Sequence, residues 1–211
     1  MPVHYHKQEK NFQLGIWRMD ESLEELHRML RLSENDLQTL DGFKSEYRKR
    51  EWLTTRVLVR ELLPGAGDLN IGYDGNGKPS LVNSEFAISI SHTKNFVAVL
   101  LTQHKSAGID LETIQDRIEK IAKRFVTKEE ESFFESEKKI LYQHVIWGTK
   151  EVLFKIHSKG ELDFLKNLQV EKFKLDKQGT LMGKIIKGDF NKTYTVNYEQ
   201  IDHLMLVYAV D

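Results

Sequence analysis

The chain has 211 residues, with 31 Lys+Arg against 32 Asp+Glu, a net charge of −1, and no cysteine. That length makes one large domain or two small ones, able to bury a core without staples. The charge balance excludes a bulk basic field for nucleic acid and an acidic solvating tail, and the missing cysteines exclude disulfide scaffolds, thiol nucleophiles, Cys-based zinc sites and iron–sulfur clusters.

No apolar run reaches the ~18 residues of a membrane span, and MPVHYHKQEKNF has no apolar signal core. A soluble, cytoplasmic protein is expected, and the first residues, including the pair His4 and His6, are expected to be mobile. Phe12 to Met19 alternates apolar and polar residues and predicts a strand. Ser22 and Glu25 have capping-box spacing for a helix through Leu32. A helical pattern follows from Asp36 to Leu63, broken near Gly42 and stopped by Pro64-Gly65.

Three strands are expected next, after a short extended piece at Ile71 to Tyr73 and a turn at Asp74 to Pro79. They cover Phe86 to Thr93, Phe96 to Thr102 and Ser106 to Ile114. Helical patterns run from Arg117 to Phe125, Lys128 to Glu137 and Lys139 to His157. Strands are expected at Leu168–Leu175, Thr180–Ile186, Lys192–Tyr198 and His203–Val210. Helices and strands are grouped rather than alternating singly, which predicts an α+β fold. The expected seam divides residues 1–105 from 106–211.

Three places carry candidate chemistry. Asp110 and Glu112, at i and i+2 of a strand, share one face, with Ile109 and Leu111 turned to the core. Two carboxylates without a counter-charge suit a hard cation; the alternative is a solvated strand face. Trp147, Glu151 and Lys155 form one helical stripe, in which Glu151 and Lys155 make either an ordinary i,i+4 pair or a metal ligand beside a phosphate contact. Lys150 would reach for phosphate with Lys155. Ser91-His92 closes a strand where a histidine can donate to a phosphate oxygen, with a structural role as the alternative. Lys78 follows two turn glycines and is either a phosphate contact or a solvated lysine. Arg117, Lys120, Lys123 and Arg124 form a basic face that is either solvated or suited to an acidic partner.

In order along the chain, these segments resemble the 4′-phosphopantetheinyl transferases, of the larger type that activates surfactin synthetase. Gly77-Lys78-Pro79 is similar to the family's G-K-P turn, and Ile90-Ser91-His92-Thr93 to its I-S-H-S/T strand end. Gly108-Ile109-Asp110-Leu111-Glu112 resembles G-I/V-D-I/L-E. Ile121 to Phe125 resembles the A-x-R-F helix, and Thr127-Lys128-Glu129 the S/T-x-x-E after it. Trp147 to Lys155 resembles W-S/T/C-x-K-E-A/S-x-x-K, followed by Lys159-Gly160. Each motif alone is unspecific; five in order are specific. Gly148 departs from the family's small hydroxyl or thiol residue, and Val152 from its Ala or Ser.

The resemblance implies two similar α+β halves with the active site at their interface, in a monomer. It implies transfer of the phosphopantetheine arm of coenzyme A to a serine of an acyl or peptidyl carrier protein. Magnesium, or manganese, would be held by Asp110, Glu112 and Glu151. Glu151 would be the general base and Lys155 would balance charge on the diphosphate. Lys78, Ser91, His92, Lys150, Arg48 and Arg60 would contact coenzyme A. A non-catalytic coenzyme A or carrier-protein module is the alternative function, disfavoured by the repulsive carboxylate trio. A magnesium-dependent nuclease is disfavoured by the net charge; neither a nucleic-acid nor a membrane partner is expected.

Overall fold

A computed structural model describes residues 3–64, 70–158 and 162–211. Its elements form an α+β fold, and the chain divides into two compact units, Met1–His104 and Lys105–Asp211.

In the first unit, β1 (Val3–Glu9) and β2 (Phe12–Arg18) make an antiparallel hairpin. The expected mobile end is therefore a strand. His4 packs at a tilt against Phe96, 5.2 Å between ring centroids, while His6 is exposed. Helices α1 (Leu23–Arg28) and α2 (Glu34–Gly42) begin with capping boxes, Ser22 with Glu25 and Ser33 with Asp36. Helix α3 (Glu46–Leu62) resumes after Gly42, close to the expected break. Its stop at Pro64-Gly65 lies partly outside the described residues. Strands β3 (Ile71–Tyr73) and β4 (Pro79–Leu81) pair around a turn in which Asp74 Oδ1 accepts from Asn76 N and Lys78 N, at 2.8 and 2.9 Å. With β5 (Ala87–Thr93) and β6 (Phe96–Thr102), the main sheet has the order β1-β2-β6-β5.

Helix α3 packs on β2 and β6 through Leu53, Val57 and Leu58, against Trp17, Val97 and Val99. Gly15 makes this possible: a Cβ there would lie 2.8 Å from Leu58 Cδ1.

The second unit has one antiparallel sheet in the order β7-β11-β10-β9-β8. Its strands are β7 (Ala107–Thr113), β8 (Leu168–Val170), β9 (Gln178–Lys187), β10 (Phe190–Ile201) and β11 (Leu204–Val210). Helix α5 (Lys139–His157) spans the expected residues and crosses the sheet against β7 and β11. At Gly108 a Cβ would sit 2.5 Å from the Val152 carbonyl oxygen, so only glycine lets strand and helix approach this closely.

Three expectations fail here. Arg117 to Phe125 is not an α-helix but two 3₁₀ turns, Asp116–Lys120 and Ala122–Arg124. Apolar residues spaced three and four apart fit either geometry. Of Lys128 to Glu137, only α4 (Lys128–Glu131) is α-helical. The strand expected to reach Leu175 ends at Val170. Beyond it, Leu175 N and Asp176 N donate to the hydroxyls of Tyr142 and Tyr198, 3.3 and 3.1 Å, which replace the missing strand partner.

Candidate active site

In the second unit, Gly108, Asp110 and Glu112 alternate on the face of β7 that meets α5. The expectation that both carboxylates point outward is corrected. Asp110 is 5% exposed, and its Oδ2 would be 3.6 Å from a Cβ placed at Gly148 of α5. Leu111 and Ile109, on the other face, are fully buried too. The strand therefore lacks the solvated side that its alternation suggested.

Helix α5 presents Trp147, Glu151 and Lys155 along one stripe. The ring of Trp147 is fixed edge-on to Phe125 at 5.0 Å. Lys155 does not make the ordinary i,i+4 pair with Glu151 that was one of the two readings. Its Nζ donates to Asp110 Oδ1 at 3.1 Å and to the Ile109 carbonyl at 2.7 Å, so it clamps the helix to the strand.

Burial first, and then the Asp110 charge, push the Glu151 carboxyl up to about 7, with the Lys155 ammonium opposing. Burial and Asp110 also push Glu112 up to about 7; Glu151 adds to this, while Trp147 and Arg117 oppose. Three carboxylates thus share one electrostatic environment, and each of the two raised ones feels the Asp110 charge. Among the described residues, no group of three or more His, Asp or Glu side chains converges tightly enough to hold a metal ion as the side chains stand. The donor set is nevertheless all carboxylate oxygen, the ligand type that magnesium and manganese take.

Lys150 requires a correction. It does not reach for phosphate: it is fully buried. Its ammonium donates to the carbonyls of Phe125 and Phe164, at 2.6 and 3.0 Å, and pairs with Glu130 at 2.9 Å. All three N–H groups are used. Glu130 in turn accepts from Thr127 N and Val170 N, 2.8 and 3.1 Å. The network ties α5 to α4 and β8. Burial pulls the Lys150 ammonium below its ordinary range, and Glu130 opposes that.

Two further residues were missed by the sequence reading. His144, one turn before Trp147, is buried; Gln115 N donates to its Nε2 at 3.1 Å, and Nδ1 has no partner among the described residues. Burial holds this imidazole below its ordinary pKa, with the Gln115 carbonyl, 3.3 Å from Nε2, and Asp110 opposing. Nothing in its sequence context distinguishes it from a core position. Glu130 was legible from the Thr127 to Glu130 capping-box spacing.

The candidate residues of the first unit lie on α3, β5 and the β3–β4 turn. Arg48 of α3 and His92 of β5 both pair with Glu51, the latter at 3.1 Å. Ser91 is buried beside them in sequence. Lys78 lends its backbone N–H to the turn, with its side chain half-buried. Arg60 donates to the Met29 carbonyl at 3.3 Å, fastening α3 to the end of α1. Lys159-Gly160 lies outside the described residues.

Residues 106–206 match the sequence profile of the 4′-phosphopantetheinyl transferase superfamily. The matched segment contains β7, α5, Asp110, Glu112, Glu151 and Lys155, and it supports a role in phosphopantetheinyl transfer. A comparison with curated proteins finds no match to the chain. No helix among the described residues is long and apolar enough to cross a membrane.

Proposed function

We propose that the protein transfers the 4′-phosphopantetheine arm of coenzyme A to a serine hydroxyl of an apo acyl or peptidyl carrier protein, as a monomeric, cytoplasmic enzyme of the larger type. The observation that carries this reading is the bond from Lys155 of α5 to Asp110 of β7, on the helix and strand that also carry Glu151 and Glu112, inside the segment that matches the superfamily. Groups poised near neutrality in a cluster of like charge are costly in a purely structural element and useful in proton transfer.

Asp110, Glu112 and Glu151 would hold a divalent cation, magnesium or manganese, that neutralises charge on the coenzyme A diphosphate. Glu151 takes the proton of the carrier serine as its oxygen attacks the β-phosphorus. The bond from that phosphorus to the bridging oxygen breaks, and adenosine 3′,5′-bisphosphate leaves. Lys155, held between β7 and α5, balances the charge passing to the leaving phosphate. Arg48, Arg60, Lys78, Ser91 and His92 hold the nucleotide phosphates. The exposed residues Arg117, Lys120, Lys123 and Arg124 steer the acidic carrier, which raises the encounter rate at low salt.

Intact mass of an apo carrier protein incubated with coenzyme A and magnesium tests the reaction. A gain equal to the phosphopantetheine arm supports transfer. Binding of coenzyme A without any mass gain would instead establish the non-catalytic module.

A further inference from the structure

Glu51 is a buried carboxylate that the reaction above leaves without a task. Its side chain is 7% exposed, while those of its two partners, Arg48 and His92, are 50% and 48% exposed. Both partners meet the same oxygen, Oε1: Arg48 through Nη1 and His92 through Nε2 at 3.1 Å. Arg48 lies one turn before Glu51 on α3, and its guanidinium also lies 5.9 Å from the Phe43 ring centroid. His92 comes from β5. The strand is held to the start of α3 a second time where Tyr47 Oη donates to the Thr93 carbonyl at 3.4 Å.

An exposed i,i+3 ion pair would be weak and would orient little. Here the acceptor is buried and shared by two elements. A buried carboxylate without partners is costly, so both donors are held to it. Arg48 spends one N–H on Glu51 and keeps the rest of its fork; His92 spends Nε2 and keeps Nδ1. One carboxylate set against two cationic groups leaves an excess of positive charge when His92 is protonated. That arrangement suits a phosphate monoester, whose oxygens accept from an arginine fork and an imidazolium together.

We infer that Glu51 is a positioning residue for nucleotide binding: it holds Arg48 and His92 side by side so that their remaining donors meet one phosphate group of the coenzyme A nucleotide. The inference rests on the reading of Arg48 and His92 as nucleotide contacts. It assigns Glu51 no contact with substrate and no step in transfer. Its contribution is preorganisation, which lowers the ordering cost of binding.

The test compares full-length wild type with Glu51→Gln, Glu51→Asp, Arg48→Ala and Arg48→Ala/Glu51→Gln. Two quantities are read: the affinity for adenosine 3′,5′-bisphosphate by calorimetry, and the steady-state constants for coenzyme A and carrier. Losing one charge-assisted hydrogen-bond partner should weaken bisphosphate binding and raise the coenzyme A KM by about tenfold. In the same variant, kcat should stay within about threefold and the carrier KM should not move. Glu51→Asp keeps the charge but withdraws it from both donors, and should fall between the two. In the Arg48→Ala background, Glu51→Gln should cost about threefold or less, because one of the two groups it positions is gone. A purely structural Glu51 would lower kcat and disturb both substrates.

Bisphosphate affinity within about twofold of wild type in Glu51→Gln, or in Glu51→Asp should the first not fold, overturns the inference, as does full additivity in the double variant. Those results leave phosphopantetheinyl transfer standing. Wild-type protein that transfers the arm but binds no bisphosphate overturns it as well, by removing Arg48 and His92 from nucleotide recognition. Tight bisphosphate binding that depends on Glu51, with no transfer, would instead sustain the inference and defeat the proposed reaction.

Discussion

Lys155 on α5 is bound to Asp110 on β7, Nζ to Oδ1 at 3.1 Å, and not to Glu151 one helical turn away. The cation therefore sits between two carboxylates that serve different ends. It neutralises Asp110 directly and lowers the proton affinity of Glu151 through space. Replacing Lys155 by Ala should cut transfer by about a hundredfold or more, the scale of losing one stabilising donor at a charge-developing centre. Structural cost should be confined to the helix–strand clamp, with the protein still folded at assay temperature. Transfer within about twofold of wild type would detach Lys155 from the phosphate chemistry.

The raised carboxyls make a signed prediction for stability. Glu151 is held up to about 7 in the folded state against an ordinary value of 4.5. Between those values the folded protein binds the proton more tightly than the unfolded chain, so stability falls as pH rises through this window. His144, whose pKa is lowered, works in the opposite direction, so the comparison must be between variants. In chelator, the thermal midpoint of Glu151→Gln relative to wild type should be higher at pH 8 than at pH 5. Added magnesium should raise the wild-type midpoint more at pH 8 than at pH 5. A pH-independent difference between the two proteins would show that Glu151 titrates normally.

Gly148 stands where the resembling family prefers a small hydroxyl or thiol side chain. A Cβ there would lie 2.5 Å from Val207 Cγ2 on β11. In an unobstructed helix, Gly→Ala gains up to about 1 kcal/mol. Here Gly148→Ala should instead destabilise by about 1–3 kcal/mol, the cost of overpacking. Val207→Ala in the same chain should recover most of that loss. Equilibrium denaturation of the single and double variants reads both numbers, and a stabilised Gly148→Ala would contradict the packing of α5 on β11.

Lys150→Met should behave as a folding variant rather than a catalytic one. Removing the ammonium strands the Glu130 carboxylate and two carbonyls in the core, a loss of about 3–5 kcal/mol. For a unit of this size that is a drop of roughly 12 °C or more in thermal midpoint. Preserved stability together with lost coenzyme A binding would return Lys150 to the phosphate site.

Much of this was legible from local pattern. The β5, β6, β7 and α5 segments and the capping box at Ser22 follow from alternation, helical period and cap chemistry. Spacing also put Asp110 and Glu112 on one strand face and Glu151 and Lys155 on one helix stripe. It could not say which partner each side chain meets, because those partners are set by tertiary packing. Lys150 and Lys155 read alike as helix lysines, yet one is enclosed by Phe125, Phe164 and Glu130 while the other reaches Asp110. Glu51 was illegible for the same reason: its second partner, His92, arrives from a strand about forty residues on. The 3₁₀ turns at Asp116–Lys120 and Ala122–Arg124 escaped because a short apolar repeat does not distinguish three from 3.6 residues per turn.

The most direct test of the account is the single-turnover transfer rate of Glu151→Gln at saturating magnesium, measured beside its coenzyme A affinity. The amide keeps the volume of Glu151 but neither accepts the serine proton nor ligates a hard cation well. The account predicts a folded protein that still binds coenzyme A and transfers at least ~10²–10⁴-fold more slowly, the range expected for loss of a general base. Asp110→Asn should lose coenzyme A affinity first and turnover as a consequence. A Glu151→Gln protein that retains more than about a tenth of the wild-type rate would contradict the central assignment and remove Glu151 as the base.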